Sequence, residues 1–228
     1  MTYAALILLA LAAYLLGSVP FGLLIAKAHG KDLRTIGSGN IGATNVSRAL
    51  GRKWAYVCFV LDALKGLIPT LTATFLAAPS SQQPYAERVV MLWLSLAVGC
   101  AAVLGHIFPL YLRFKGGKGV ATSFGVALGL WPYYTVPAVL ALLTWLVVAL
   151  IWRYVSLASI AAALAFPITL ATAIAALPGW HLANLWPLLV VATAIALMVT
   201  FRHRQNIKRL LEGTESRIKL GTTSNKHP

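Results

Sequence analysis

From Gly119 to Trp152 the chain runs thirty-four residues without a charged side chain. No solvated loop or surface helix has that composition, and comparable apolar runs recur at 4–26, 54–78, 89–112, 155–178 and 185–201. About 20 apolar residues cross the hydrocarbon core of a bilayer. A helix is the natural way to do it, because one segment then satisfies all its own backbone N–H and C=O groups. The run at 119–152 is too long for one ordinary span. Pro132 and Pro137 offer the break, since proline removes a donor and clashes with the preceding turn. That makes seven spans, the first part of 119–152 being short and glycine-rich, or six if 119–131 is a re-entrant segment buried against its neighbours. With 59% hydrophobic and 11% charged residues among 228, the chain reads as an all-α, polytopic integral membrane protein. One domain covering 1–228 is expected, with 216–228 a flexible tail. The opening MTYAALILLALAAYLL lacks a positive n-region, and its apolar run continues to Ala26, so it is expected to be a retained span.

A formal net charge of +14 could suggest nucleic acid, but the cations are not laid out as a soluble basic face. The loops at 27–53, 113–118 and 153–154 and the tail from 202 hold seventeen of the nineteen Lys and Arg. Positive loops mark the cytoplasmic side, which places the amino terminus outside and the carboxyl terminus in the cytoplasm. Arg88 alone stays outside. Lys65 lies within a span, three residues from Asp62 and on the same helix face, where the two can neutralise each other. Cys58 and Cys100 sit in apolar runs and read as small core residues rather than a disulfide or metal pair.

Three polar segments share that cytoplasmic side. IGSGNIGATNVSRALG (36–51) has glycines that permit positive φ and let successive N–H groups converge. Thr44 or Asn45 can cap a following helix, and Arg48 lies on the same face as Thr44 and offers a planar fork for phosphate. GHIFPLYLRFKGGKGVATSFG (105–125) contains GGKG, yet it is not a nucleotide-binding P-loop. Such a loop needs glycine at 112, which is Leu112, and Gly119 replaces its Ser or Thr. What survives is a turn with Lys118 as a point charge leading into a helix; His106 is as well explained by packing as by reactivity. In FRHRQNIKRLLEGTE (201–215), His203, Asn206, Ile207 and Leu210 share one helix face. A basic amphipathic helix on lipid explains the cations there but not the inward His and Asn. Ser156 joins the group by lying at the same end of a span, where serine commonly just caps a helix.

The acid count excludes several chemistries, because the chain has only Asp32, Asp62, Glu87, Glu212 and Glu215. There is no aspartate array for metals, no His-x4-Asp dyad, no Gly-x-Ser-x-Gly elbow and no Cys–His nucleophile pair. No metal site and no cofactor are expected. What remains is a set of anion binders with one histidine.

At SGNIGATNVSR (38–48), GHIFPLYLRFKGGKGVAT (105–122) and RHRQNIKRLLEGTE (202–215) the chain resembles the bacterial acyl-phosphate-dependent glycerol-3-phosphate acyltransferase family, with its three signature regions in order. The resemblance implies seven spans in the bacterial cytoplasmic (inner) membrane and a site at the cytoplasmic face of a monomer. It implies transfer of a fatty acyl group from acyl phosphate to the 1-hydroxyl of sn-glycerol 3-phosphate, without acyl-CoA or metal. Ser38, Gly39, Asn40, Gly42, Thr44 and Asn45 would then cradle the acyl-phosphate headgroup, with Gly116 and Gly117 also lining substrate. Arg48, Lys118, Ser156, His203 and Asn206 would bind glycerol 3-phosphate, and Arg48, Lys118, His203 and Asn206 would carry the reaction. His203 could be the general base or simply a phosphate ligand. The rival reading, a transporter of small organic anions, should show polar groups through several spans and at the outer face; only Asp62, Lys65 and Arg88 stand there. A noncatalytic scaffold leaves the inward His and Asn unexplained.

Overall fold

The computed structural model describes residues 2–78 and 84–218, and among these every regular element is helical. Six helical stretches are long and apolar enough to cross a membrane: Thr2–Ala28, Arg52–Leu76, Tyr85–Leu112, Thr135–Trp152, Val155–Ala176 and Leu182–Arg202. The first is interrupted. It comprises α1 (Thr2–Gly17) and α2 (Phe21–Ala28), separated at Ser18–Pro20. Pro20 lacks the N–H that would continue the ladder, and the bend is tied to neighbouring spans. Ser18 Oγ accepts from Leu110 N at 3.3 Å, and Lys65 Nζ donates to Val19 O at 2.9 Å. An unbroken apolar run at 4–26 carried no sign of this bend beyond the proline itself.

The remaining α-helices are α3 (Ala43–Leu50), α4 (Arg52–Leu76), α5 (Tyr85–Ile107), α6 (Val120–Gly129), α7 (Thr135–Trp152), α8 (Val155–Ala176), α9 (Leu182–Arg202) and α10 (Arg204–Leu211). The long run at 119–152 does divide into two helices. Pro132 lies in the break, whereas Pro137 sits in the first turn of α7, where its missing donor is not needed. With ten residues α6 is about 15 Å long, half the hydrocarbon thickness. It lies against α4, while α1 packs on α5 and α7, α8 and α9 pack in succession.

Two of these pairings rest on reciprocal glycines. A Cβ on Gly17 of α1 would stand 2.3 Å from Ala102 O of α5, and one on Gly105 of α5 would stand 2.3 Å from Tyr14 O. In the same way Gly66 of α4 meets Thr122 O at 2.3 Å and Gly125 of α6 meets Ala63 O at 1.9 Å. Lipid tails are as apolar as leucine, so helices in a bilayer associate through close backbone packing, which small residues allow. These contacts hold α1 against α5 and α4 against α6 at backbone distance. Large apolar side chains such as Leu8, Ile68, Leu150 and Ile168 point outward, as a lipid-facing surface requires.

Candidate active site

The first polar segment is a folded loop held from behind. Asp32 starts it: its carboxylate accepts from Arg34 N and forms an ion pair with the Arg34 guanidinium at 2.7 Å. Hydrogen bonding to Arg34 pulls the half-buried Asp32 carboxyl down to about 2. The expectation that Thr44 or Asn45 caps the next helix needs correcting. The cap position of α3 is Gly42, with no side-chain cap, and both residues lie inside the helix. Thr44 is exposed, whereas Asn45 is buried and turned back into the loop. Its amide donates to Leu33 O at 3.0 Å and Ile36 O at 2.9 Å and accepts from Ser38 N at 3.2 Å. Asn45 therefore shapes the cradle rather than filling it. Gly37 fits only because its φ is +56° and a Cβ would meet Asn45 Oδ1 at 2.5 Å. The Arg48 side chain passes over the same glycine, its Cδ 3.1 Å from that Cβ position. Asn40 Oδ1 closes the loop by accepting from Gly42 N at 2.9 Å, beside Gly39.

The GGKG turn is clamped on both faces. Gly116 N donates to Ile107 O at 3.2 Å and Gly117 N to His106 O at 3.1 Å, both at the end of α5. The Arg202 guanidinium donates to Gly116 O at 2.9 Å and Gly117 O at 3.2 Å from the end of α9. These N–H groups are thus already engaged, and what the turn presents is the Lys118 side chain. Its ammonium donates to Asn206 Oδ1. Burial pulls Lys118 down to about 8 from an ordinary 10.5; Glu215 resists the fall, and Arg209, Arg48 and Arg202 add to it.

In the third segment the expected single helix breaks. α9 ends at Arg202, α10 begins at Arg204, and His203 is the joint between them. His203 and Asn206 are nevertheless both buried, as their shared stripe predicted, while Arg204 and Lys208 are exposed. His203 Nδ1 lies 2.8 Å from Val199 O. A carbonyl only accepts, so Nδ1 carries the proton and Nε2 the lone pair. Burial pulls this imidazole down to about 4, with the nearby Lys118 charge adding to the shift. It is neutral at neutral pH.

Sequence reasoning missed Glu215 as the centre of the arrangement. Its Oε1 accepts from Asn206 Nδ2 at 2.6 Å and Ser156 Oγ at 2.8 Å, and its Oε2 from Arg209 Nε at 2.6 Å. Burial opposes ionisation, but the hydrogen bonds from Asn206, Ser156 and Arg209 hold the carboxyl below its usual range. Ser156 therefore stands behind Glu215. Just beyond, Arg217 donates to Tyr154 OH at 2.9 Å and Ile218 N to Arg153 O at 2.7 Å. The remainder of the expected flexible tail, 219–228, lies outside the described residues.

The three segments enclose a cleft of about 170 Å³. Of the site residues named from the sequence, Ser38, Asn40, Lys118 and Asn206 line it. Arg202, Arg204, Gln205 and Arg209 line it as well, the arginines having been read from the sequence only as part of a basic tail. Glu215 pairs with Arg209, which leaves Lys118, Arg202 and Arg204 as surplus positive charge around the opening. Such a cleft suits a phosphate-bearing substrate. The family model described as glycerol-3-phosphate acyltransferase matches residues 7–213.

The chain belongs to the glycerol-3-phosphate acyltransferase family.

A glycerol-3-phosphate acyltransferase of Geotalea daltonii is 48% identical over 93% of this chain and 97% of its own length. The Aquifex aeolicus acyltransferase is 44% identical over 90% and 95%. A crystal structure of PlsY, an integral membrane glycerol 3-phosphate acyltransferase in its glycerol 3-phosphate form, superposes with a TM-score of 0.78 at 43% identity, covering 94% of this chain and 96% of that one. The acyltransferase homology thus spans nearly every element that builds the cleft.

Proposed function

We propose that the cleft holds acyl phosphate and glycerol 3-phosphate side by side and transfers the acyl group to the 1-hydroxyl, giving lysophosphatidic acid and phosphate. The observation that carries the reading is a cleft with surplus cations assembled from all three polar segments, in a chain homologous to glycerol-3-phosphate acyltransferases. The hydroxyl oxygen attacks the acyl carbon, the new ester C–O bond forms, and the C–O bond to phosphate breaks. The hydroxyl proton ends on the departing phosphate. An acyl phosphate is already activated, so positioning two reactants supplies most of what is needed, on the order of 7–11 kcal/mol. Lys118 and the arginines stabilise the phosphate as it leaves. Ser38, Gly39, Asn40 and Gly42 offer the acyl-phosphate cradle that Asn45 shapes, while Arg48, Lys118 and Asn206 bind glycerol 3-phosphate. A neutral His203, with its Nε2 lone pair, orients the hydroxyl rather than removing its proton, since an imidazole titrating at about 4 is a weak base.

The site faces the cytoplasm of a bacterial inner membrane, and the enzyme works as a monomer. The loop charges support this orientation, with the amino terminus outside and α6 as the short member of seven crossings. Detergent-purified protein given a synthetic acyl phosphate and glycerol 3-phosphate should make lysophosphatidic acid without added metal, and none from acyl-CoA. Robust acyl-CoA turnover, or chelator inhibition that magnesium reverses, overturns the donor assignment. Uptake of glycerol 3-phosphate into proteoliposomes without acylation would instead favour the transporter. Cysteine placed at 40 in a Cys58/Cys100-free background should resist impermeant reagents in intact spheroplasts; labelling there overturns the orientation.

A further inference from the structure

Three ionisable side chains lie buried among the spans, outside the cleft, and acyl transfer as described uses none of them. On α4, Lys65 Nζ is 2.9 Å from Asp62 Oδ1, and from α5 the His106 Nδ1 comes to 3.7 Å of the same oxygen. They are 2%, 3% and 5% exposed for Lys65, Asp62 and His106. Replacing a buried ion pair by well-packed apolar side chains is often neutral or stabilising, so packing alone gives no reason for the cluster. Its outer contacts do. On one side Lys65 donates to Val19 O, at the bend between α1 and α2. Beyond that bend α2 packs on the segment that carries Ser38, Asn40 and Arg48, so closely that a Cβ on Gly22 would run into Ile41 O. On the other side the His106 ring lies against the GGKG turn, so that a Cβ on Gly117 would stand 2.1 Å from Nε2. The next residue is Lys118, whose ammonium meets Asn206 in the cleft.

We propose that Asp62, Lys65 and His106 form a positioning device that fixes, from inside the membrane, the relation between the two segments that handle phosphate. Asp62 is the hinge pin. Through Lys65 it holds the bend at Val19, and through His106 it holds the seat of Gly117 and hence the place of Lys118. None of the three touches substrate. The inference rests on the acyl transfer proposed above, and its test carries a readout that does not need turnover.

His106→Ala, Asp62→Asn, Gly117→Ala and the double variant His106→Ala/Gly117→Ala are compared with wild type. Misplacing a reacting group by about 1 Å costs up to roughly 10²-fold, so His106→Ala and Asp62→Asn should each lower kcat/KM for glycerol 3-phosphate about 10- to 100-fold. The damage of Gly117→Ala should be relieved in the His106→Ala background, because the missing ring vacates the space the new Cβ enters. A loosened turn also gives Lys118 more water, so the alkaline limb of the wild-type profile, set near 8 by burial of Lys118 among Glu215, Arg209, Arg48 and Arg202, should move upward in His106→Ala. A purely structural histidine would lower the yield of folded protein without moving that limb. Independently of turnover, inorganic phosphate should stabilise wild type against heat, and His106→Ala should need about 10-fold more of it, within the same range of misplacement losses. If His106→Ala does not fold, His106→Asn, which shortens the side chain yet keeps it polar and leaves the Asp62–Lys65 pair intact, carries the same measurements. Wild type that makes no lysophosphatidic acid overturns acyl transfer, and the phosphate titration then decides the positioning by itself. Variants that match wild type in both readouts, or a Gly117→Ala defect unchanged by removing His106, overturn the positioning alone.

Discussion

Asp62 and Glu215 are both buried carboxylates, 3% and 8% exposed, and they organise the molecule in opposite ways. Around Asp62 the charge is met locally: Lys65 lies 2.9 Å away, the Cys58 thiol donates at 3.6 Å, and the His106 ring stands at 3.7 Å, in contact but too far for a hydrogen bond. Around Glu215 the carboxylate is outnumbered. It binds Ser156, Asn206 and Arg209, and Lys118, Arg202 and Arg204 remain to face the cleft. The lesson concerns which charge is left over. A membrane interior tolerates ions that balance locally, whereas an anion-binding site needs an excess that only a substrate completes.

That contrast is most sharply broken by removing one partner of the closed cluster. Lys65→Met leaves Asp62 buried without its countercharge, a change that destabilises proteins by about 3–5 kcal/mol. Thermal unfolding in detergent should show the loss, and Lys65→Met with Asp62→Leu should recover much of it. A single variant as stable as wild type would mean that water or another group reaches Asp62.

The open cluster should respond in activity rather than stability. Lys118→Met removes a cation from the cleft and should lower kcat/KM by about 10²–10³, the usual loss for one electrostatic stabiliser. Its thermal midpoint should stay near wild type, because burial of this ammonium is unfavourable to begin with. Equal losses in both measurements would erase the distinction between the clusters. Glu215→Gln is the milder companion: it keeps an acceptor for Ser156 and Asn206 but weakens the bond from Arg209. A hydrogen bond to a charged group contributes about 1.5–3 kcal/mol, so stability should fall by up to that amount while acyl-phosphate hydrolysis without acceptor stays low.

How much of this was legible beforehand follows the range of the interactions. Apolar runs and loop charge are local properties, and they pointed to a helical membrane protein and to the three polar segments. The inward stripe of His203 and Asn206 was also legible, since helical spacing places them together even though the helix breaks at His203. Glu215 was not. Either of the two acids in a basic tail looks like solubility, and what sets Glu215 apart includes Ser156, fifty-nine positions away. Asn45 misled for a related reason: an asparagine near a helix start has a common local role, and only the folded loop reveals that its amide points backward. The bend at Val19 was hidden because its partner, Lys65, lies on another span.

The smallest expected effect concerns the shape of the pH profile, and it separates a positioning His203 from a base. Lys118 must be protonated to hold an anion, so kcat/KM for glycerol 3-phosphate should decline as pH rises through about 8. His203 sits at about 4 and stays neutral above that, so it contributes no limb between pH 5 and 7. The substrate phosphate does, because its second proton leaves near pH ~6, and that limb belongs to every variant alike. His203→Gln should therefore lower the rate yet leave a profile that superimposes on wild type after scaling, with both limbs in place. If His203 were instead the general base with an ordinary imidazole pKa, the wild-type profile would carry an additional ionisation near ~6.5 that His203→Gln abolishes. Lys118→Arg provides the control from the other side: a guanidinium does not titrate in this range, so the alkaline limb should vanish there while the acid limb remains.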